Sequence, residues 1–309
     1  MATFFECDVS KLLTLDINIL NLNTDYYREQ LEAKEDMLAR TTKYLLDAKN
    51  ELSRQNELLT DVTQSLFESI DFANLIQTAL LPDPSVLHLR LQDCAYRVIN
   101  KIGIGGDSVF IKESGDNITF GLFDATGHGI PASMLSISGL LMLNELLARP
   151  IPKSPQDLLK ELNIRLHATF NLKRSIAHLE GTIFTYNPVK RKLEYSCAKG
   201  KGVHISAAGG LTDLQSCRYA VGEDTAASYQ AESFNCSPGD KLFLYSDGLT
   251  DQFGGERNKK FSKRRLKEML QDNSMHSATQ LSEIVYNAHL EWKGSFGQTD
   301  DVSFLVISF

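Results

Sequence analysis

The sequence predicts an α+β domain preceded by a long helix. Three observations carry this. First, from Thr24 to about Gln64 the chain has neither Gly nor Pro, and leucine recurs at every seventh position. Second, from residue 86 onward short strand-like runs follow one another, separated by turn signals such as Ser114-Gly-Asp-Asn117, Asn187-Pro188 and Gly209-Gly210. Third, the helical patterns in this part are grouped between hairpins and do not alternate one-for-one with strands, which argues against repeated βαβ units.

Residues 1–23 form an N-terminal segment of unclear structure, in which Leu15, Ile17 and Ile19 alternate with polar residues as in a short strand. Residues 24–81 read as a helical segment. Leu31, Leu38, Leu45, Leu52, Leu59 and Leu66 stand in strict heptad register, one seam of a coiled coil. The companion column, Lys34, Thr41, Ala48, Gln55 and Val62, is more polar and would set register at some cost in stability. Nothing else within the segment can bury the leucine stripe, so an intermolecular coiled coil, most simply a homodimer, is expected over a helix packed on its own domain. Toward its end Phe67, Ile70, Ala73, Ile76, Leu80 and Leu81 spread apolar surface over more than one face, as a helix packing on the next domain would. Pro82 and Pro84 stop it, and the boundary is expected near residue 82, or slightly earlier if this helix belongs functionally to both parts, leaving 82–309 as the second domain.

In that domain strands are expected at Ala95–Ile99, Ser108–Ile111, Ile118–Phe123, Gly181–Tyr186, Leu193–Ala198, Val203–Ser206, Lys241–Tyr245 and Val302–Phe309. Helices are expected at Pro131–Ala148, Pro155–Asn171, Ser262–Gln271 and Ala278–Trp292, with Ser154 as the N-cap of the second.

Composition excludes several classes. Over 309 residues the hydrophobic share is 42% and the charged share 23%, as in soluble globular proteins. A net charge of −7 argues against a nucleic-acid partner. The five cysteines, Cys7, Cys94, Cys197, Cys217 and Cys236, are scattered and form no C-x-x-C, which fits reduced thiols. The N-terminus lacks the basic and apolar regions of a signal peptide, and the most apolar stretch, 134–148, is broken by polar residues and too short to span a bilayer. A cytoplasmic protein without a membrane span is expected.

The chemistry resides in acidic residues at strand ends. Asp124 ends an apolar run and opens the turn Asp124-Ala-Thr-Gly-His-Gly-Ile-Pro131. Alone, it reads equally as a turn cap or as a ligand for a hard cation. Asp107 in Gly105-Gly-Asp precedes a strand, Asp247 in Tyr245-Ser-Asp-Gly follows one, and Asp300 and Asp301 precede the last. Were these strand ends neighbours, the carboxylates could not all stay ionised without cations, because like charges raise one another's pKa. Two divalent metals would resolve the repulsion and serve phosphoryl chemistry.

The set resembles the metal-dependent PPM protein phosphatases, in particular their bacterial SpoIIE-like branch. Gly105-Gly-Asp107, Phe123-Asp-Ala-Thr-Gly-His-Gly-Ile-Pro131, Leu244-Tyr-Ser-Asp-Gly-Leu-Thr-Asp-Gln-Phe-Gly-Gly255 and Thr299-Asp-Asp-Val-Ser303 carry the resemblance, with Ile76-Gln-Thr-Ala-Leu-Leu-Pro82 leading in. It implies a two-sheet antiparallel β-sandwich flanked by helices, and two Mn²⁺ or Mg²⁺ ions at one edge. By position Asp124 would bridge the metals, the Ala125 carbonyl would be a further ligand, Asp247 and Asp300 would hold the second ion, and Asp107 would bind metal or orient its water. It further implies hydrolysis of phosphoserine or phosphothreonine on a small phosphorylated regulator of the anti-sigma-antagonist (STAS) type, in a partner-switching pathway. A non-catalytic phosphoprotein-binding adaptor, dimerised through the coiled coil, is the alternative. Ser108 departs from the aromatic that the family often has after its Gly-Gly-Asp. Lys199-Gly-Lys201 stands where relatives often carry neutral polar residues; a solvated loop is expected over a phosphate contact there. His128 is expected to brace the turn in preference to acting as an acid. The basic run Arg257–Lys267 is expected to be a solvated face in preference to a docking patch.

Overall fold

The computed structural model describes residues 9–83, 91–149, 153–170 and 177–309; Cys7, Pro84 and the expected helix end at Asn171 lie outside them. By compactness the chain divides between Glu68 and Ser69, earlier than the expected boundary at 82.

The first unit is helical. Helix α1 runs Val9–Leu80, so its last twelve positions, from Ser69, belong to the second unit. The strand expected around residues 15–19 is absent: this stretch is helical too. No glycine or proline interrupts the chain across the span, and once nucleated a helix propagates at little cost per residue. Three alternating residues are too few to oppose it. The seam leucines of the first unit, Leu31 to Leu66, are 50–67% exposed, so the single chain leaves the stripe uncovered.

The second unit contains strands β1 (Asp93–Ile99), β2 (Ser108–Ser114) and β3 (Asn117–Ala125), helices α2 (Ile130–Leu147) and α3 (Pro155–Phe170), and strands β4 (Leu179–Asn187), β5 (Lys192–Ala198), β6 (Lys201–Ile205), β7 (Leu211–Asp213), β8 (Glu232–Asn235) and β9 (Lys241–Tyr245). Then come α4 (Asp247–Asp251), the small hairpin β10 (Phe253–Gly254) and β11 (Lys259–Lys260), α5 (Lys263–Asp272), α6 (Ala278–Lys293) and β12 (Val302–Ser308). Two antiparallel five-stranded sheets result, ordered β1-β12-β9-β6-β7 and β2-β3-β4-β5-β8.

Alternation along each strand sorts side chains between two cores. Ile118, Phe120 and Leu122 of β3, with Leu305 and Ile307 of β12, join the core between the sheets. There Phe120 pairs across strands with Phe184, and Phe184 with Tyr195, each with ring centroids 5.2 Å apart. The opposite faces are covered by helices: α2 and α3 pack on Phe110, Phe123 and Ile183, while α5 and α6 pack on Phe243, Phe304 and Val306. Since both faces are buried, β9 and β12 carry the continuous apolar runs Leu242–Tyr245 and Phe304–Ile307. Burying each large side chain contributes about 1.5–3 kcal/mol.

Ser154 caps α3, accepting from the Asp157 N–H at 3.2 Å, as expected. Helix α2 has 18 residues, long and apolar enough by composition to cross a membrane. Length is therefore not what distinguishes it from a span, contrary to expectation. Its Leu135, Leu140, Leu143 and Leu146 are instead buried in the domain core.

Candidate functional site

Topology brings the strand ends together. In one sheet β2 and β3 are antiparallel with Ser108 opposite Phe123, so Asp107, just before β2, lies beside Asp124 near the end of β3. In the other, β12 and β9 pair with Phe304 opposite Tyr245, so Asp300 and Asp301, just before β12, adjoin Asp247, just after β9. Backbone contacts join the two pairs. The Gly106 N–H donates to Asp301 Oδ2 at 2.7 Å, and the Ala125 N–H donates to the Gly106 carbonyl at 3.2 Å. Gly106 and Gly248 permit the close approach. A Cβ at Gly106 would fall 2.6 Å from the Ala125 carbonyl oxygen, and one at Gly248 would fall 1.9 Å from that of Asp301.

The electrostatics follow from this crowding. Asp107 is 1% exposed and its Oδ2 has no hydrogen-bond partner. Burial, with the charges of Asp301 and Asp247, pushes its pKa up to about 7 against the pull of the Ser246 and Ser303 hydroxyls. Burial also raises Asp124 well above the usual carboxylate range, and Asp107 and Asp247 add to it. Asp300 is raised by burial and by Asp247. Asp301 differs: it is engaged as an acceptor by the Lys101 and Gly106 N–H groups, both at 2.7 Å, which ties the loop before β2 to the loop before β12.

The residues fit a hard divalent cation in donor chemistry: all are oxygen donors, they repel one another, and one buried carboxylate oxygen is orphaned. Among the described residues no three acidic, histidine or cysteine side chains converge on a single point. An ion here would be held by carboxylates from both sheets and complete its shell with water or a carbonyl, as Mg²⁺ ordinarily does. Asp107, Asp124, Asp247 and Asp300 could hold it, and the Ala125 carbonyl lies against the Gly106 backbone.

Other expectations fare differently. His128 is exposed and makes no hydrogen bond or ion pair among the described residues, so it does not brace the turn. Thr126 does so, its N–H and hydroxyl both donating to the His178 carbonyl at 3.0 and 2.9 Å. Lys201 is not in a solvated loop: it opens β6 and forms ion pairs with Glu180 at 3.2 Å and Asp247 at 3.5 Å. Burial acts against its charge, but Asp247 and Glu180 outweigh that and raise its pKa. Lys199 pairs with Glu223 at 2.8 Å. The basic run is largely engaged within the domain. Lys260 meets Asp251, Lys263 and Lys267 meet Asp213, and the Arg265 guanidinium sits 3.9 Å over the Trp292 ring. That arrangement matches a self-satisfied surface better than a docking patch.

Two participants escaped the sequence reading. Glu180 lies opposite Asp124 in the β3–β4 register. Gln77, on the part of α1 in the second unit, is 2% exposed and reaches the Asp107 loop. Its Nε2 donates to the Gly105 carbonyl at 2.8 Å, and its Oε1 accepts from the Gly105 N–H at 3.3 Å. The available signal was a lone amide in the apolar stretch Ile76-Gln-Thr-Ala-Leu-Leu81.

The family model for stage II sporulation protein E (SpoIIE) matches residues 114–309, the greater part of the chain, a span that includes Asp124, Asp247 and Asp300. No curated protein matches the chain by sequence. Among solved structures, the fold is similar to the SiaA-PP2C domain of Pseudomonas aeruginosa, with a TM-score of 0.73 and 24% identity over 80% of this chain and 98% of that one. It is similar to the PP2C phosphatase domain, with a fragment of the regulatory domain, of SpoIIE from Bacillus subtilis, with a TM-score of 0.58 and 16% identity over 70% and 62%. RsbX, solved in complex with magnesium, gives a TM-score of 0.53 and 16% identity over 70% and 94%. With a two-sheet sandwich of this kind and a family match over most of its length, the chain belongs to the SpoIIE family, a branch of the PPM-type protein-serine/threonine phosphatases.

Proposed function

We propose that this chain hydrolyses phosphoserine or phosphothreonine on a small phosphorylated regulatory protein of the anti-sigma-antagonist (STAS) type, within a partner-switching pathway. The observation that carries the reaction is the meeting of Asp107, Asp124, Asp247 and Asp300 at one edge of the sandwich, with a buried Asp107 oxygen left without a partner. The substrate class rests on the family, in which metal dependence is general. Two divalent ions, Mn²⁺ or Mg²⁺, would supply an activated water and neutralise phosphoryl charge when bound. Asp124 would bridge them with the Ala125 carbonyl alongside, Asp247 and Asp300 would hold the second, and Asp107 would bind the first or orient its water. Asp301 and Gln77 would keep the Asp107 loop in register. No nucleophilic side chain is required: Cys94, Cys197 and Cys236 are buried free thiols, and burial raises the pKa of each. The leucine seam of α1 would form a homodimer, and α1, continuous through Glu68 and Ser69, would carry a regulatory signal.

The test is phosphate release from a phosphorylated STAS-type protein with and without Mn²⁺. Asp124→Ala and Asp247→Ala are each expected to lower turnover by about a thousandfold. Folding, followed by circular dichroism, should survive, because removing one of several repelling carboxylates relieves the metal-free state. Full activity in both variants would exclude the metal-centre assignment.

A further inference from the structure

Among the described residues Lys201 forms ion pairs at the acidic edge, and the reaction proposed above does not use it. Lys201 opens β6 opposite Tyr245 of β9. Its ammonium spans the two sheets, because Glu180 belongs to β4 and Asp247 follows β9. The preceding turn is pressed onto β4: a Cβ at Gly200 would fall 2.3 Å from Thr182 Oγ1. That approach delivers the lysine to a narrow cleft that Asp124, Glu180 and Ser246 also line. The side chain remains 32% exposed, and Asp247 beside it 43%, so the pair is open to an incoming group.

Donor count and charge both point outward from the ion pairs. An ammonium carries three N–H donors, and Glu180 and Asp247 together engage two. If Asp247 turns to a metal, a second donor is released while Glu180 keeps the lysine in place. The edge carries Asp107, Asp124, Glu180, Asp247, Asp300 and Asp301, and two divalent ions offset four negative charges at most. A phosphomonoester brings about −1.5 to −2 more. Lys101 also acts on Asp300, without forming an ion pair among the described residues. Lysine suits the task, since it binds phosphate as a compact point charge where arginine would bind in a planar fork.

We propose that Lys201 contacts the substrate, its ammonium hydrogen-bonding a non-bridging phosphoryl oxygen of the bound phosphoserine or phosphothreonine while Glu180 anchors it. This rests on the proposed phosphatase reaction. No covalent step or proton transfer is involved: the contact forms on binding and persists to the product phosphate.

The experiment is calorimetric titration of inorganic phosphate into the Mn²⁺-saturated full chain, for wild type, Lys201→Met and Lys201→Arg, with a parallel Mn²⁺ titration. Lys201→Met keeps the length and removes the charge. It is expected to weaken phosphate binding by roughly tenfold or more, as loss of a charge-assisted hydrogen bond does. Mn²⁺ binding should stay as tight or tighten, because the ammonium no longer competes for Asp247. Lys201→Arg should recover part of the phosphate affinity, and KM for the phosphoprotein should rise in Lys201→Met. Unchanged phosphate affinity in a Mn²⁺-loaded Lys201→Met protein would overturn the assignment. So would loss of Mn²⁺ binding in that variant, which would make Lys201 a holder of carboxylates only. Absence of Mn²⁺-dependent turnover in the wild type would instead overturn the phosphatase reaction, while the phosphate titration decides Lys201 by itself.

Discussion

Asp107 is the most deeply buried of the candidate metal-holding carboxylates, and burial makes its charge costly to keep. Its pKa of about 7 in the folded chain, raised by burial, exceeds the ordinary value of 3.8. The folded state therefore holds a proton that the unfolded state has released, and stability falls as pH rises between those two values. His289 acts in the opposite sense over part of the range, since burial lowers its pKa to about 4. The difference between wild type and Asp107→Asn reports this carboxylate together with its effect on Asp124. In metal-free protein the melting temperature of Asp107→Asn should gain on wild type by about 5 °C as pH rises from 4 to 7, and then level off. Saturating Mn²⁺ should reverse the order, because cations favour the carboxylate. A pH-independent difference in the metal-free protein would refute the account. Asp107, Asp124, Asp247 and Asp300 were legible from sequence because residue type and strand-end position are local. Glu180 was not, and Lys201 was read as part of a solvated loop, because their places depend on β4 lying beside β3 and β6 beside β9.

At the scale of elements, the end of α1 and the loop before β2 act together through Gln77. Its amide engages both the carbonyl and the N–H of Gly105, and Asn100 donates to its Oε1 at 3.4 Å. Removing that amide leaves buried backbone groups unpaired, at a cost of about 1–3 kcal/mol. Gln77→Leu is expected to lower Mn²⁺ affinity by roughly tenfold, as loss of a group that orients a ligand does. Calorimetry checks this, and unchanged affinity would mean that the clamp does not position Asp107. The eight expected strands all form, several with extended ends. The additional ones, β7, β8 and the β10–β11 hairpin, are short and largely exposed, so they have little buried face on which an alternating pattern could be written. The short α4 begins at Asp247 itself, directly after β9, where a five-residue turn of helix leaves no periodic signal.

At the scale of the whole molecule, the uncovered leucine seam is the feature the single chain leaves unresolved. Leu31, Leu38, Leu45, Leu52, Leu59 and Leu66 stay exposed, and a second copy in parallel register would bury them. Sedimentation is expected to give a dimer at micromolar concentration. Leu38→Asp with Leu45→Asp should raise the dissociation constant by at least about a hundredfold, since each buried leucine contributes about 1.5–3 kcal/mol. The melting of the phosphatase domain should hardly change. A wild-type chain that sediments as a monomer at all concentrations would exclude the coiled coil. The sequence by itself determined the α+β class, the long helix and the types and strand-end positions of the acidic residues, because periodicity, turn chemistry and side-chain type are properties of short stretches. Only the tertiary structure decided that Asp301 binds backbone, that Lys201 and Glu180 face the acidic edge, and that α1 reaches the Asp107 loop. Strand order and cross-sheet contacts join residues far apart in the chain, and no local pattern encodes which distant partner a buried polar group meets.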